Sequence, residues 1–384
     1  MKKKEIPKGL RDLLPAEVKM MRSIENKATR LFQSYGYEEV ITPTFEYLEV
    51  VENGAGGNIR QELFLFMDRE GGILSLRPEV TVSIARLAAT HMQDTRFPHR
   101  LFYRANVFRH VQPHLAQYRE FWQLGTELIG ASGVRADVEI ITIAAQALQE
   151  IGLDNFKLSL NQIGIFNSLL DDSGMALEER NLIRTLVERK DLVELSRVLE
   201  NVTIADGLKE TIAALPVLHG GLEVLNKIPW VEKNRNASMA VNDLIQIYNA
   251  LKITGVQDNI VLDMGVLRGL DYYTGIVFEG YSPDLGYGLL GGGRYDNLMG
   301  KFGFPRPATG FSLGMDRLAL VLKAAQDNEP RRYLLGGNDF TAMVDKARQL
   351  RADGYIVEMD VEGNSRQTLQ QIAQEKNCTL LYLE

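Results

Sequence analysis

The chain has 384 residues, 45% hydrophobic and 24% charged, which is the composition of a globular protein of two or three domains and excludes wholesale disorder. Lys and Arg number 43 against 50 Asp and Glu, for a net charge of −7, so phosphate binding would need a local basic patch that the average does not supply. One cysteine, Cys378, excludes an intrachain disulfide framework and a multi-cysteine zinc site, and neither a metal nor a cofactor is expected. The basic start MKKKEIPKGLRDLLP has no apolar segment behind it, so no secretory signal is read there. No run approaches 18 apolar residues; the expectation is a cytoplasmic protein with no membrane contact.

Pro15 followed by Met21, Ile24, Ala28, Leu31 and Phe32 at three- and four-residue spacing predicts an amphipathic helix over 16–35, stopped by Gly36. Glu39–Thr42 reads as a short strand closed by Pro43. Leu63–Met67 and Ile73–Leu76 flank Asp68-Arg69-Glu70-Gly71-Gly72, a hairpin signal, and Glu79–Met92 reads as a helix. Two longer strands follow, Leu101–Arg109 and Tyr118–Ile129, joined by the loop His110–Gln117. A helix over Ala136–Ile151 and a strand at Phe156–Leu160 complete this block.

Between about 165 and 255 leucines and isoleucines recur at helical spacing among charged residues, which predicts an inserted helical region. Strands return at Asn259–Met264, Gly275–Tyr281 and Tyr287–Leu290, followed by a glycine-rich turn and a helix at Met315–Gln326. From residue 331 to 384, strand, helix, strand, helix and strand alternate, as in a small separate α/β lobe. The domains expected are therefore 1–322, carrying the insertion, and 331–384.

Side chains two apart on a strand share a face. In Tyr118–Ile129 one face carries Arg119, Phe121, Gln123, Gly125 and Glu127, which is either a wetted sheet surface or the wall of a polar pocket. Four further segments favour the pocket. Leu76-Arg77-Pro78-Glu79-Val80-Thr81 sets a carboxylate and a hydroxyl at a strand-to-helix turn, and Arg268-Gly269-Leu270-Asp271-Tyr272-Tyr273 sets a guanidinium beside two phenols. The runs Gly291–Asp296 and Ala308–Arg317 put glycines where backbones must approach closely. Two arginines for a carboxylate, Glu, Gln and Thr for an ammonium, and Glu with Tyr for a polar ring are the needs of a free amino acid.

At these residues the sequence resembles histidyl-tRNA synthetase, a class II aminoacyl-tRNA synthetase, over about Lys8 to Leu322. Gly36 to Pro43 is similar to motif 1, Phe108-Arg109-His110 with Tyr118–Glu127 to motif 2, Arg268–Glu279 to the histidine-specific segment, and Gly310–Arg317 to motif 3. The resemblance implies an α+β fold: a class II synthetase-like antiparallel sheet flanked by helices, with a helical insertion. It also implies that Glu79, Thr81 and Gln123 hold a histidine amino group, that Arg109 and Arg268 approach its carboxylate, and that Glu127 and Tyr273, with Tyr272 nearby, receive the imidazole.

The departures matter as much. Val111 stands where the synthetases carry the glutamate that reads adenine, Gln112 follows in place of arginine, and Leu115 and Gln117 replace further basic positions. Valine cannot accept the adenine amino group, and the cationic clamp on phosphate is thinned. Arg317, the motif 3 arginine, survives as part of a vestigial nucleotide site. The tail is shorter than an anticodon-binding domain, with 7 basic and 8 acidic residues over 331–384, a poor basis for binding tRNA. This combination is similar to the ATP phosphoribosyltransferase regulatory subunits. That family is without catalysis of its own, acts with a short-form ATP phosphoribosyltransferase catalytic subunit in the first step of histidine biosynthesis, and is associated with histidine feedback. The implied assembly is a hetero-oligomer around a homodimer formed through Pro15–Pro43, with free histidine as ligand and no tRNA. The alternatives are a short histidyl-tRNA synthetase or free-standing amino-acid ligase, and a histidine-binding module with another partner.

Overall fold

Pro15 occupies the first turn of α1 (Pro15–Ser34), where its missing N–H is no loss, and Glu17 accepts the Leu14 N–H at 3.0 Å. Met21, Ile24, Ala28 and Phe32 form the buried face, and Gly36 beyond it has the left-handed φ of 81° that glycine adopts freely. The structure is a computed structural model that describes residues 4–55, 57–112, 117–267, 272–322 and 331–384. It divides into two compact units, Met1–Lys323 and Ala324–Glu384.

In the first unit the strands are, in chain order, β1 (Glu38–Glu39), β2 (Phe45–Tyr47), β3 (Leu65–Met67), β4 (Ile73–Leu76), β5 (His99–Phe108) and β6 (Glu120–Ile129). They continue with β7 (Lys157–Gln162), β8 (His219–Gly220), β9 (Ile260–Asp263), β10 (Ile276–Tyr281), β11 (Leu290–Arg294) and β12 (Ala308–Gly314). The helices after α1 that position the site are α2 (Leu48–Ala55), α3 (Thr81–His91) and α4 (Val134–Ile151). The main sheet runs β1-β5-β6-β12-β11-β10-β7-β9-β8 and is mixed: β1 pairs with β5, and β7 with β9, in parallel, while every pair from β5 through β12 to β7 is antiparallel. A second, small antiparallel sheet has the order β2-β4-β3.

Cross-strand register sorts the sheet into two faces. Phe102, Thr126, Phe311, Gly292, Phe278 and Leu160 stand in one row. Phe32 of α1 packs onto this row with its ring centroid 6.0 Å from both Phe102 and Phe311, and α4 covers the same sheet beside α1. Fully burying each phenylalanine contributes about 2–3 kcal/mol. One residue along, the side chains emerge on the opposite face. Tyr103, Gly125, Ser312, Gly291 and Glu279 form one row there, and Leu101, Glu127, Gly310, Gly293 and Val277 another.

The expected glycine-rich turn after residue 290 is instead a strand, β11, buried along its whole length. A methyl group on Gly292 would lie 2.2 Å from the Gly310 carbonyl, and one on Gly293 would lie 2.5 Å from the Ile276 carbonyl. Glycine is needed here for close packing between strands, not for a turn. The strand expected at Glu39–Thr42 contracts to Glu38–Glu39, because beyond Val40 the backbone leaves the ladder and Arg77 takes the carbonyls of Thr42 and Pro43 at 2.9 and 3.1 Å. The helix read from Glu79 begins at Thr81, since the Glu79 carboxylate accepts the N–H groups of Thr81 and Val82 at 3.0 and 2.8 Å and so lies ahead of the first turn.

The insertion is helical: α5 (Ile163–Asp171), α6 (Leu177–Glu188), α7 (Leu192–Asn201), α8 (Asp206–Ala214) and α9 (Arg235–Ile253). Leu169, Leu186, Leu195 and Leu199 are buried at the predicted spacing. After β12 comes α10 (Met315–Val321). In the second unit β13 (Arg332–Gly337) lies between β14 (Ile356–Met359) and β15 (Thr379–Leu383), both parallel to it. Leu335 packs with Met343, Ala347 and Leu350 of α11 (Phe340–Ala352), and Leu334 with Leu369 and Ala373 of α12 (Arg366–Glu375). Alternate residues of one central strand thus serve two small cores.

Candidate functional site

The face of the main sheet away from α1 and α4 carries a small cavity of about 50 Å³. Glu79, Thr81, Arg109, Gln123, Glu127, Tyr272 and Tyr273, all expected from sequence to be neighbours, line it together. Arg268, the eighth, lies outside the described residues. The two carboxylates arrive from different elements, Glu79 from the turn before α3 and Glu127 from near the C-terminal end of β6.

Glu127 is 1% exposed. Its Oε1 accepts the Thr81 hydroxyl at 2.8 Å and its Oε2 accepts the Tyr295 hydroxyl. Burial, opposed by these two hydroxyls and reinforced by the charge of Glu79, lifts its pKa to about 8. Burial likewise raises Glu79, while the Val82 N–H and the Arg109 charge pull it back. The Tyr272 hydroxyl approaches Glu79 at 3.5 Å, and its ring lies 5.0 Å from that of Tyr273 and 5.6 Å from that of Tyr295. Arg109 donates its Nε to the Pro78 carbonyl at 2.9 Å, which fixes the guanidinium beside the Glu79 turn.

Tyr295, Tyr103 and Ser312 also line it, and sequence reasoning had not singled them out as site residues. The signal for Tyr103 is its register opposite Gly125, where an added methyl would lie 2.5 Å from the phenol oxygen. The signal for Tyr295 is its place directly after the glycine strand, facing Glu127. Gly310 has the same logic: a methyl there would fall 1.9 Å from Glu127 Oε2. Glycines on three neighbouring strands make the room that the tyrosines and carboxylates fill.

A second cavity, about 230 Å³, adjoins the first and shares Arg109, Gln123, Gly291 and Ser312 with it. Val111, Gln117, Phe121 and Arg317 line it. Arg317 donates to the Gly288 carbonyl at 2.7 Å and its guanidinium lies 5.6 Å from the Tyr287 ring. Arg119 turns its Nε back to the Val111 carbonyl at 3.0 Å. The wall of this cavity is braced by Arg11, which pairs with Asp316 at 2.7 Å and lies 4.3 Å over the Tyr118 ring. A third, larger cleft of about 950 Å³ runs past Glu62, Glu279 and Tyr287 and again includes Arg109. Among the described residues no cluster of three or more His, Cys, Asp or Glu is placed to hold a metal ion, and no helix is long and apolar enough to cross a membrane.

Among the described residues, two buried carboxylates, several phenols and one guanidinium at the rim suit a small zwitterion with a hydrogen-bonding ring. The family model for histidyl-tRNA synthetase matches residues 9–318. The ATP phosphoribosyltransferase regulatory subunit of Moorella thermoacetica is 41% identical over 364 residues, 94% of each chain. The chain belongs to the ATP phosphoribosyltransferase regulatory subunit family. A solved structure from Bacillus halodurans, described as an ATP phosphoribosyltransferase regulatory subunit/histidyl-tRNA synthetase, matches with a TM-score of 0.88 at 32% identity, covering 99% of this chain and 98% of its own. The regulatory subunit family stands near the synthetases: the histidine–tRNA ligase of Methanocaldococcus jannaschii is 36% identical over 93% of this chain and 86% of its own. The fold is accordingly that of the histidyl-tRNA synthetases, a mixed sheet flanked by helices.

Proposed function

We propose that this chain is the non-catalytic regulatory subunit of ATP phosphoribosyltransferase, acting in the cytoplasm with a short-form catalytic chain at the first step of histidine biosynthesis and binding free histidine at the cavity lined by Glu79 and Glu127. The observation that carries the reading is a contrast between adjacent cavities. The first gathers Glu79, Thr81, Arg109, Gln123, Glu127, Tyr272 and Tyr273 around one small volume, and the second offers Val111 and Gln117 where adenylate chemistry calls for an adenine acceptor and cations. In this assignment Glu79, Thr81 and Gln123 take the ammonium, Arg109 and Arg268 the carboxylate, and Glu127 with Tyr273 and Tyr272 the ring. Arg317 is a remnant of the nucleotide site. The balance of −1 over 331–384 argues against tRNA as a partner.

Regulation follows from linkage: histidine that binds two states of the assembly unequally shifts catalysis by the difference, and the catalytic chain alters histidine affinity by the same factor. A homodimer is supported by exposed apolar side chains along the segment after α1 and on the small sheet, with Ile41 83%, Tyr47 57% and Met67 74% exposed. The test is a calorimetric histidine titration of the purified chain, alone and with the catalytic subunit. Saturable binding that shifts with the partner and is lost in Glu127→Ala is expected. Arg109 and Arg317 leave a ligase as the competing reading, and histidine-dependent ATP–pyrophosphate exchange at an ordinary enzymatic rate would establish it instead.

A further inference from the structure

Resting on the histidine reading, we propose that Glu127 enters binding protonated and passes its proton to the ring nitrogen of the incoming imidazole, so that histidine is held as an imidazolium against a carboxylate formed on binding. The O–H bond of Glu127 breaks, an N–H bond on the ring forms, and no other reactant takes part.

The geometry around Glu127 favours this in two stages. Its side-chain partners are the neutral hydroxyls of Thr81 and Tyr295, either of which can rotate to accept a carboxyl proton, and the guanidinium of Arg109 is tied by its Nε to the Pro78 carbonyl. A second carboxylate, Glu79, shares the cavity. Among the described residues the two buried carboxylates share the cavity with the single guanidinium of Arg109, an arrangement that disfavours ionising both. Among the described residues the other titratable groups facing Glu127 are phenols: Tyr103 on β5, Tyr272 and Tyr273 ahead of β10, and Tyr295 after β11. Tyr37 also feels the Glu127 charge, but donates its hydroxyl to Glu139 at 3.0 Å.

With the ligand present three donors converge on Glu127: the Thr81 hydroxyl, the Tyr295 hydroxyl and the ring N–H. A carboxylate has lone pairs for all three, in charge-assisted hydrogen bonds, whereas a protonated carboxyl must spend one oxygen as a donor. The negative charge of Glu79 also favours a cationic ring. Burial holds Glu127 at about 8, and an unperturbed imidazole titrates near about 6.5. At pH 7.0 the free protein and free ligand therefore already hold, between them, about the one proton that the pair needs.

The experiment combines two readouts on the full chain at pH 7.0. Nitrogen NMR of ring-¹⁵N-labelled histidine bound to the protein reports the ring's charge state, and calorimetry in buffers of unlike ionisation heat counts protons exchanged with solvent. The expected result is an imidazolium spectrum with only about 0.2 of a proton released. An imidazolium spectrum with about three quarters of a proton drawn from the buffer would mean that Glu127 was already ionised, and overturns the proposal. A neutral ring in the bound state overturns it too. Glu127→Gln keeps the side-chain shape but has no proton to give, so bound histidine should revert to a neutral ring with at least tenfold weaker affinity; an unchanged imidazolium in that variant is a further refutation. Absence of any histidine binding by wild type at 10 mM would instead remove the histidine reading itself.

Discussion

Glu127→Gln also makes a prediction about stability that needs no ligand. A carboxyl whose pKa is raised from an ordinary unfolded value of about 4.3 to about 8 in the folded chain binds its proton more tightly when folded. Its contribution to stability is therefore present at low pH, declines as pH rises through the window between the two values, and is level above about pH 8. Between pH 5 and 8 the integrated loss is about 3.5 kcal/mol, from about 1.4 kcal/mol per unit. Glutamine carries no such dependence and can still meet the hydroxyls of Thr81 and Tyr295. For a unit spanning Met1–Lys323, an unfolding entropy of about 2.1 cal/mol/K per residue converts this to about 5 °C in Tm. Differential scanning calorimetry of both proteins across that pH range should show the Tm of the variant gaining about 5 °C relative to wild type. Curves that stay parallel within 1 °C would refute the account of Glu127 as a carboxyl held protonated by burial.

Gly310→Ala should abolish calorimetrically detectable histidine binding and cost about 1–3 kcal/mol, since its methyl would lie 1.9 Å from Glu127 Oε2 and 2.4 Å from the Thr126 carbonyl; unaltered affinity would refute it. Asp137→Ala removes one of the two carboxylates paired with Arg294, at 2.9 Å with both side chains under 10% exposed, and leaves Asp296 at 2.9 Å; it should lower stability by about 1–3 kcal/mol in urea denaturation. Arg11→Ala loses both the Asp316 pair and the stacking on Tyr118. It should cost about 1–3 kcal/mol and speed proteolysis ahead of α1, an effect read by limited digestion.

Most of the cavity was legible because strand periodicity is strict. Once Tyr118–Ile129 was read as a strand, Gln123 and Glu127 had to share a face, and the structure puts both on the cavity side. Thr81 and Glu79 were legible as polar groups at a turn, but not the division of labour in which Glu79 caps α3 while Thr81 reaches across to Glu127. That division depends on how β6 and α3 approach, which no local pattern encodes. Gly291–Gly293 was misread as a turn because glycine's usual local meaning is conformational freedom, whereas here it is clearance between adjacent strands. Tyr103 and Tyr295 were missed for the converse reason: a buried aromatic reads as core until its hydroxyl is seen to have a partner. The mixed character of the main sheet rests on two short parallel pairings at its flanks, and pairing direction is set by long-range topology.

Arg109 borders all three cavities while anchored by one nitrogen to Pro78. A single planar fork serving three chambers is a shared resource. An anion that recruits its remaining N–H groups in one chamber removes them from the other two, so occupants of neighbouring chambers are rivals for the same hydrogen-bond donors even when their volumes do not overlap. Such rivalry is a form of negative cooperativity that needs no movement of the fold, and by reciprocity each rival weakens the other equally.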